Sequence, residues 1–167
     1  MLSSQQPNEQ LSRYFQRFLN VWNTGGSKLW PDHPERRDFE IDEPSQVDRV
    51  RIIVDDWSGL EKSFKRDHSP EKLPDLRANL GEGPYLTIYV FYEDEEMYKV
   101  FARRFGFTDC YVTSYIFSKE GRGVIVIRTM YPDDQLDDES FILPIEGQDT
   151  ELFEHLLEEL SKAAPFN

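Results

Sequence analysis

Two runs rich in β-branched and aromatic residues, C-Y-V-T-S-Y-I-F-S at 110–118 and G-V-I-V-I-R-T-M-Y at 123–131, are joined only by K-E-G-R-G. A connection that short and glycine-containing makes an antiparallel hairpin. This hairpin constrains the fold most, because it commits the chain to an antiparallel sheet. Three more segments read as strands. R-V-R-I-I-V at 49–54 is the first. P-Y-L-T-I-Y-V-F-Y at 84–92 is apolar at both parities, which predicts a central position. S-F-I-L-P-I-E at 140–146 carries Pro144, which cannot donate to a ladder and so predicts an edge.

Helical periods fill the gaps. Leu11, Tyr14, Phe15, Phe18, Leu19 and Trp22 recur at helical spacing behind a candidate cap at Asn8 and before Gly25-Gly26. That face must be buried, in the chain's own core or in a groove on a partner. Trp57, Leu60 and Phe64 share one side of a short helix that Ser58 could cap. E-D-E-E-M-Y-K-V-F-A-R-R-F-G at 93–106 opens with acids and closes with arginines, as a helix dipole favours. The last helix begins at an Asp149 cap, with Leu152, Phe153, Leu156, Leu157 and Leu160 inward and Glu151, Glu154, Glu158 and Glu159 outward. Residues 67–83 read as a short helix or a functional loop.

The predicted order is α-β-α-β-α-β-β-β-α. The fold class is α+β, a mainly antiparallel sheet of about five strands with helices packed on one side. The whole chain, 1–167, is expected to be one domain. It divides into an N-terminal amphipathic helix (1–26), an irregular connector rich in proline and charge (27–47) and an α/β body (48–167).

Charge is the second constraint. The 167 residues carry a formal net charge of −13. Residues 131–167 hold eleven acids and one base, a balance of −10. Such a chain is not expected to bind nucleic-acid phosphates or anionic membranes directly. No apolar run is long enough to span a bilayer, the start lacks the pattern of a secretion signal, and one cysteine, Cys110, forms no internal disulfide. These points predict a cytoplasmic location.

Enzyme motifs are absent. The sequence contains no G-x-S-x-G, H-E-x-x-H, P-loop or G-x-G-x-x-G, and His33, His68 and His155 are scattered. The acid-rich stretch Y-P-D-D-Q-L-D-D-E-S-F does not fit an EF-hand. Counting from Asp133 the sixth and twelfth residues are Asp138 and Pro144, and from Asp134 they are Glu139 and Ile145. Asp55-Asp56 and Glu93-Asp94 each follow a strand and precede a helix. If those strands ran parallel, the four carboxylates would meet at one sheet edge and could hold a hard cation for hydrolysis. If they do not meet, they are helix caps. No cofactor is expected.

The remaining signal is a carboxylate-rich surface suited to a basic protein. Its expected residues are Asp133, Asp134, Asp137, Asp138 and Glu139 of the loop and Glu151, Glu154 and Glu158 of the last helix. Tyr111 and Tyr115 would anchor the contact if their strand face stays open. In size, charge and element order, with the local stretch W-S-G-L-E-K-S-F at 57–64, the chain resembles the small acidic bacterial immunity proteins that neutralise toxins, Syd-like and SUKH-type proteins among them. The resemblance implies an inhibitor of a basic toxin or nuclease and carries over no functional residues. Two other functions compete with it: a structural or regulatory subunit docking through its N-terminal aromatic helix, and a metal-dependent hydrolase.

Overall fold

The structure, a computed structural model, describes residues 6–24, 29–30, 33–40, 49–68, 70–91, 112–129 and 139–163. In chain order these form α1 (Glu9–Thr24), β1 (Leu29–Trp30), β2 (His33–Glu40), β3 (Arg49–Asp55), α2 (Trp57–Asp67), a single 3₁₀ turn (Pro70–Lys72), α3 (Leu73–Leu80), β4 (Tyr85–Phe91), β5 (Val112–Ser118), β6 (Gly123–Thr129), β7 (Glu139–Pro144) and α4 (Asp149–Ala163). The predicted helix over 93–106 lies outside the described residues, as do Gly25 and Gly26.

The strands form one antiparallel sheet in the order β1-β2-β3-β4-β5-β6-β7. The five predicted strands are β3 to β7. β4 lies in the middle, as its apolar character at both parities requires. β7 lies at the edge. Ile145 donates its backbone N–H to Gly123 O at 3.5 Å, so the backbone groups of odd-numbered residues here point toward β6. Pro144 therefore turns its donor-less nitrogen to the open side. The free edge thus lacks a donor that another strand could use.

Two strands fall inside the stretch expected to be an irregular connector. β2 pairs with β3 from Arg36 opposite Ile53 to Glu40 opposite Arg49. Its residues, H-P-E-R-R-D-F-E, have weak strand propensity, but pairing with β3 satisfies their backbone groups. Pro34 precedes the part paired with β3.

The helices cover both faces of the sheet, not one. On the first face, α1 and α4 enclose Val50, Ile52, Leu86, Ile88, Tyr115, Phe117, Ile125 and Ile127. On the other, Leu60 and Phe64 of α2 with Leu76 and Leu80 of α3 cover Tyr85, Ile116, Val124 and Val126. β6 explains why. Its Val124 and Val126 alternate with Ile125 and Ile127, so both of its faces are apolar and both need cover.

The apolar stripe of α1 is used in this core. Leu11, Tyr14, Phe15 and Phe18 are buried, and Leu19 and Trp22 are partly so. Phe153 of α4 is the hub, in ring contact with Tyr14 at 5.4 Å, Phe18 at 5.7 Å, Tyr115 at 5.3 Å and Phe117 at 5.4 Å. Asn8 caps α1 as expected, its Oδ1 accepting from the N–H groups of Gln10 at 2.8 Å and Leu11 at 3.3 Å. The start of α1 also rests on the β5–β6 turn. Asn8 N–H donates to Gly121 O at 3.1 Å, and Ser12 Oγ donates to Lys119 O at 2.5 Å. Gly121 has φ +91°, and a Cβ there would sit 2.0 Å from Asn8 O. Only glycine fits that position.

Two caps differ from expectation. Asp56, not Ser58, caps α2, accepting from Gly59 N–H at 2.8 Å. It stands three residues before that amide, the reach an aspartate cap needs. Asp149 is itself the first residue of α4, and its buried carboxylate reaches back to accept from Glu146 N–H at 2.8 Å. It thus serves the turn before the helix, as the acid of a capping box does.

Candidate functional site

α1 and α4 lie side by side and leave an open groove of about 800 Å³ between them. α1 contributes Arg17, Asn20 and Val21. α4 contributes Glu151, Glu154, His155, Leu157, Glu158 and Ser161. The helical repeat places Glu151, Glu154 and Glu158 at i, i+3 and i+7, one stripe over two turns of α4.

The centre of the stripe is already engaged. Arg17 grips Glu154 with both arms, Nη1 to Oε1 at 2.7 Å and Nη2 to Oε2 at 3.4 Å. Tyr14 donates its hydroxyl to the same Oε1 at 2.6 Å. The Arg17 guanidinium also lies over the Tyr14 ring, 5.5 Å from its centroid. Hydrogen bonds from Arg17 and then Tyr14 hold the Glu154 carboxyl below its usual range. The same bond to Glu154 raises Arg17. Burial, then the hydrogen bond to the Glu154 carboxylate, pushes the Tyr14 hydroxyl up to about 12. Glu154 is therefore both a groove residue and a clasp between the helices.

Glu151 and Glu158 flank it, exposed, with no ion-pair partner among the described residues. Glu159, expected on the outer face, is instead buried and paired with Lys162 at 3.1 Å. It follows the inward Leu156 by three residues, so its stem packs while its carboxylate reaches out to the lysine.

The other expected site residues divide as follows. Tyr115 is fully buried against Phe153, because α4 covers its strand face. It is a core residue and cannot anchor a partner. Glu139 opens β7 opposite Thr129. Tyr111, Asp133, Asp134, Asp137 and Asp138 lie outside the described residues, and so do Cys110, Glu93 and Asp94.

The condition for a four-carboxylate centre is not met. β3 and β4 run antiparallel, with Asp55 opposite Tyr85 and Arg49 opposite Phe91. The end of β4 that leads to Glu93 and Asp94 is thus six residues along β3 from Asp55, about 20 Å at strand rise. Asp56 is a helix cap. Asp55 lies over Gly59, where an added Cβ would come within 2.8 Å of its Oδ1. Among the described residues no group of three or more His, Cys, Asp or Glu could hold a metal ion.

His68 and Ser140 form a contact that sequence reading missed, Nδ1 to Oγ at 2.8 Å. Both are buried, and the imidazole stacks on Phe64 at 4.7 Å. The pair ties the end of α2 to the start of β7 inside the core, closed to a substrate. The Tyr14–Arg17–Glu154 clasp was also missed. Its only trace is that Tyr14 and Arg17 are three residues apart at the flank of the α1 stripe.

Among the described residues no helix is long and apolar enough to cross a membrane. No family model, curated protein or solved structure matches this chain, so a functional reading rests on the chemistry of the groove.

Proposed function

We propose that this chain is a protein-binding module that captures a basic partner along the carboxylates of α4, an inhibitor or immunity-type protein acting on a cationic toxin or nuclease. One observation carries the reading. Glu151 and Glu158 line the α1–α4 groove without an ion-pair partner among the described residues, while Glu154 between them already binds a guanidinium. Arginine is the natural ligand for such carboxylates, because its planar fork meets both oxygens. Asp133, Asp134, Asp137 and Asp138, which precede β7 in sequence, and Glu139, which opens it, add to the negative field that steers a basic protein inward.

The competing readings have less support. Docking through α1 needs its apolar face, and that face is buried in the chain's own core. Metal-dependent hydrolysis needs carboxylates that converge, and Asp55 and Asp56 stand at the opposite end of the β3–β4 ladder from the end leading to Glu93 and Asp94.

The test is capture and reconstitution. Basic proteins retained from host lysate at low salt are purified and titrated back onto the intact chain and onto Glu151→Gln/Glu158→Gln. The expected result is a salt-sensitive complex that the double variant weakens and that blocks the partner's own activity. If no cationic protein is retained at low salt, the reading fails.

A further inference from the structure

We propose that the outer edge of β7 takes an extended segment of another protein as an added strand, a segment apolar in its middle and basic at its ends. The inference goes beyond the groove reading and does not rest on it.

β7 is the last strand of the sheet, and among the described residues nothing pairs with its outer side. Ser118 N–H donates to Arg122 O at 2.9 Å and Ile145 N–H donates to Gly123 O. Even-numbered residues of β6 thus bond to β5, and odd-numbered ones bond to β7. In β7 the even-numbered backbone groups face outward. Ser140 is buried, which takes its groups out of reach. Ile142 N–H, Ile142 O and Pro144 O remain, one donor and two acceptors. Ile142, Leu143, Pro144 and Ile145 are all partly exposed, and residues 140–145 carry no charge. Proline is the only one of the usual edge protections that this stretch contains.

The same proline selects the occupant. In a twofold antiparallel pair of copies centred on Ile142, Pro144 would face the buried Ser140, and only the two Ile142–Ile142 bonds form. Centred on Leu143, each Ile142 N–H meets a Pro144 carbonyl, but both Ile142 carbonyls are left without a donor, because proline has none. A foreign strand without proline satisfies all three groups. Each copy also carries −13, which opposes self-pairing and favours a cationic occupant. Glu139 opens β7 and the exposed Glu146 follows it, so an acid stands at either end of the apolar stretch. Main-chain bonds would supply affinity, and basic ends would supply register.

The probe is the peptide K-V-T-V-T-V-T-K, whose lysines are seven residues apart like Glu139 and Glu146. Amide hydrogen exchange of the full chain is followed by NMR, with and without peptide. In the free chain Ile142 is expected to exchange fast beside a slow Leu143, whose N–H faces β6, and the peptide is expected to slow Ile142. The same peptide with glutamate ends should bind about two- to tenfold more weakly, the range of two exposed charge pairs. Pro144→Val supplies the missing donor and should tighten binding about two- to tenfold, the net effect of one hydrogen bond. Glu151→Gln/Glu158→Gln should bind the peptide like the intact chain. A slow Ile142 in the free chain, no binding, or binding that leaves Ile142 fast overturns the inference. So does equal binding of the glutamate-ended peptide, unchanged affinity in Pro144→Val, or weaker binding by the groove variant. Slowing of Ile142 by raised chain concentration alone would make the occupant a second copy and also overturns it.

Discussion

Arg17 Nη1 stands 2.7 Å from Glu154 Oε1, a contact between residues 137 apart in sequence that closes the first helix onto the last. Both side chains are about half exposed, which limits what the pair contributes.

Arg17→Ala and Glu154→Gln should each lower stability by about 0.5–1 kcal/mol in urea unfolding, and their double-mutant cycle should show coupling below about 1 kcal/mol. The pH dependence follows from Glu154, whose carboxyl is lowered in the folded chain, first by Arg17 and then by Tyr14. A lowered folded value means that the contribution is complete above the ordinary glutamate value of 4.5 and is lost as pH falls through the folded value. Glu154→Gln should therefore flatten part of the acid limb of a stability–pH profile. A limb of unchanged slope would show that the clasp does not form in solution.

Tyr14 tests the same clasp from the alkaline side. Its hydroxyl is pushed up to about 12 from 10.0, mainly by burial. A raised folded value means that the contribution is present below 10.0 and is lost as pH rises through about 12. Burial raises Tyr85 as well, so tyrosinate absorbance should show a late-titrating component that Tyr14→Phe reduces by one tyrosine. That variant should cost about 0.5–1.5 kcal/mol near neutrality, the usual net value of one hydrogen bond.

Gly121→Ala should destabilise the chain by about 2 kcal/mol or more, since it combines a left-handed backbone with a collision against Asn8 O. Gly147→Ala is the control. Nothing lies within 4 Å of its added Cβ, so it should leave the melting temperature within about 1–2 °C. Thermal melts of the two variants decide the point.

Removing residues 1–24 separates a core helix from a docking helix. Since Leu11, Tyr14, Phe15 and Phe18 are buried, the truncated chain should lose cooperative unfolding by circular dichroism. Phe153→Ala, which empties the centre of the same cluster, should cost about 3–5 kcal/mol. A truncated chain that still melts cooperatively would show that α1 is dispensable to the fold and would revive docking as its purpose.

Much of the sheet was legible in residue order. β3 to β7 are carried by runs of Val, Ile, Tyr and Phe, and Pro144 marked its strand as an edge. β2 was not legible, because H-P-E-R-R-D-F-E owes its extended form to pairing with β3. The placement of helices on both faces was latent in the Val124–Ile127 run, whose two parities are equally apolar. At the site, the spacing of Glu151, Glu154 and Glu158 could be read from helical period. Their unequal roles could not, since only tertiary contact brings Arg17 to one of the three. Tyr115 was misjudged because a strand face does not state which helix will cover it.

The strands pair in chain order, so each can join its predecessor as it is made, and loop closure between neighbours is cheap. The first helix is different. It rests on the β5–β6 turn at Gly121 and on α4, the last described element. During synthesis its aromatic stripe is thus made before all the described strands and before α4, the elements that cover it. Until Phe153 arrives, Tyr14 and Phe18 lack the ring that packs on them, and α4 acts as the lock on a long-exposed adhesive surface.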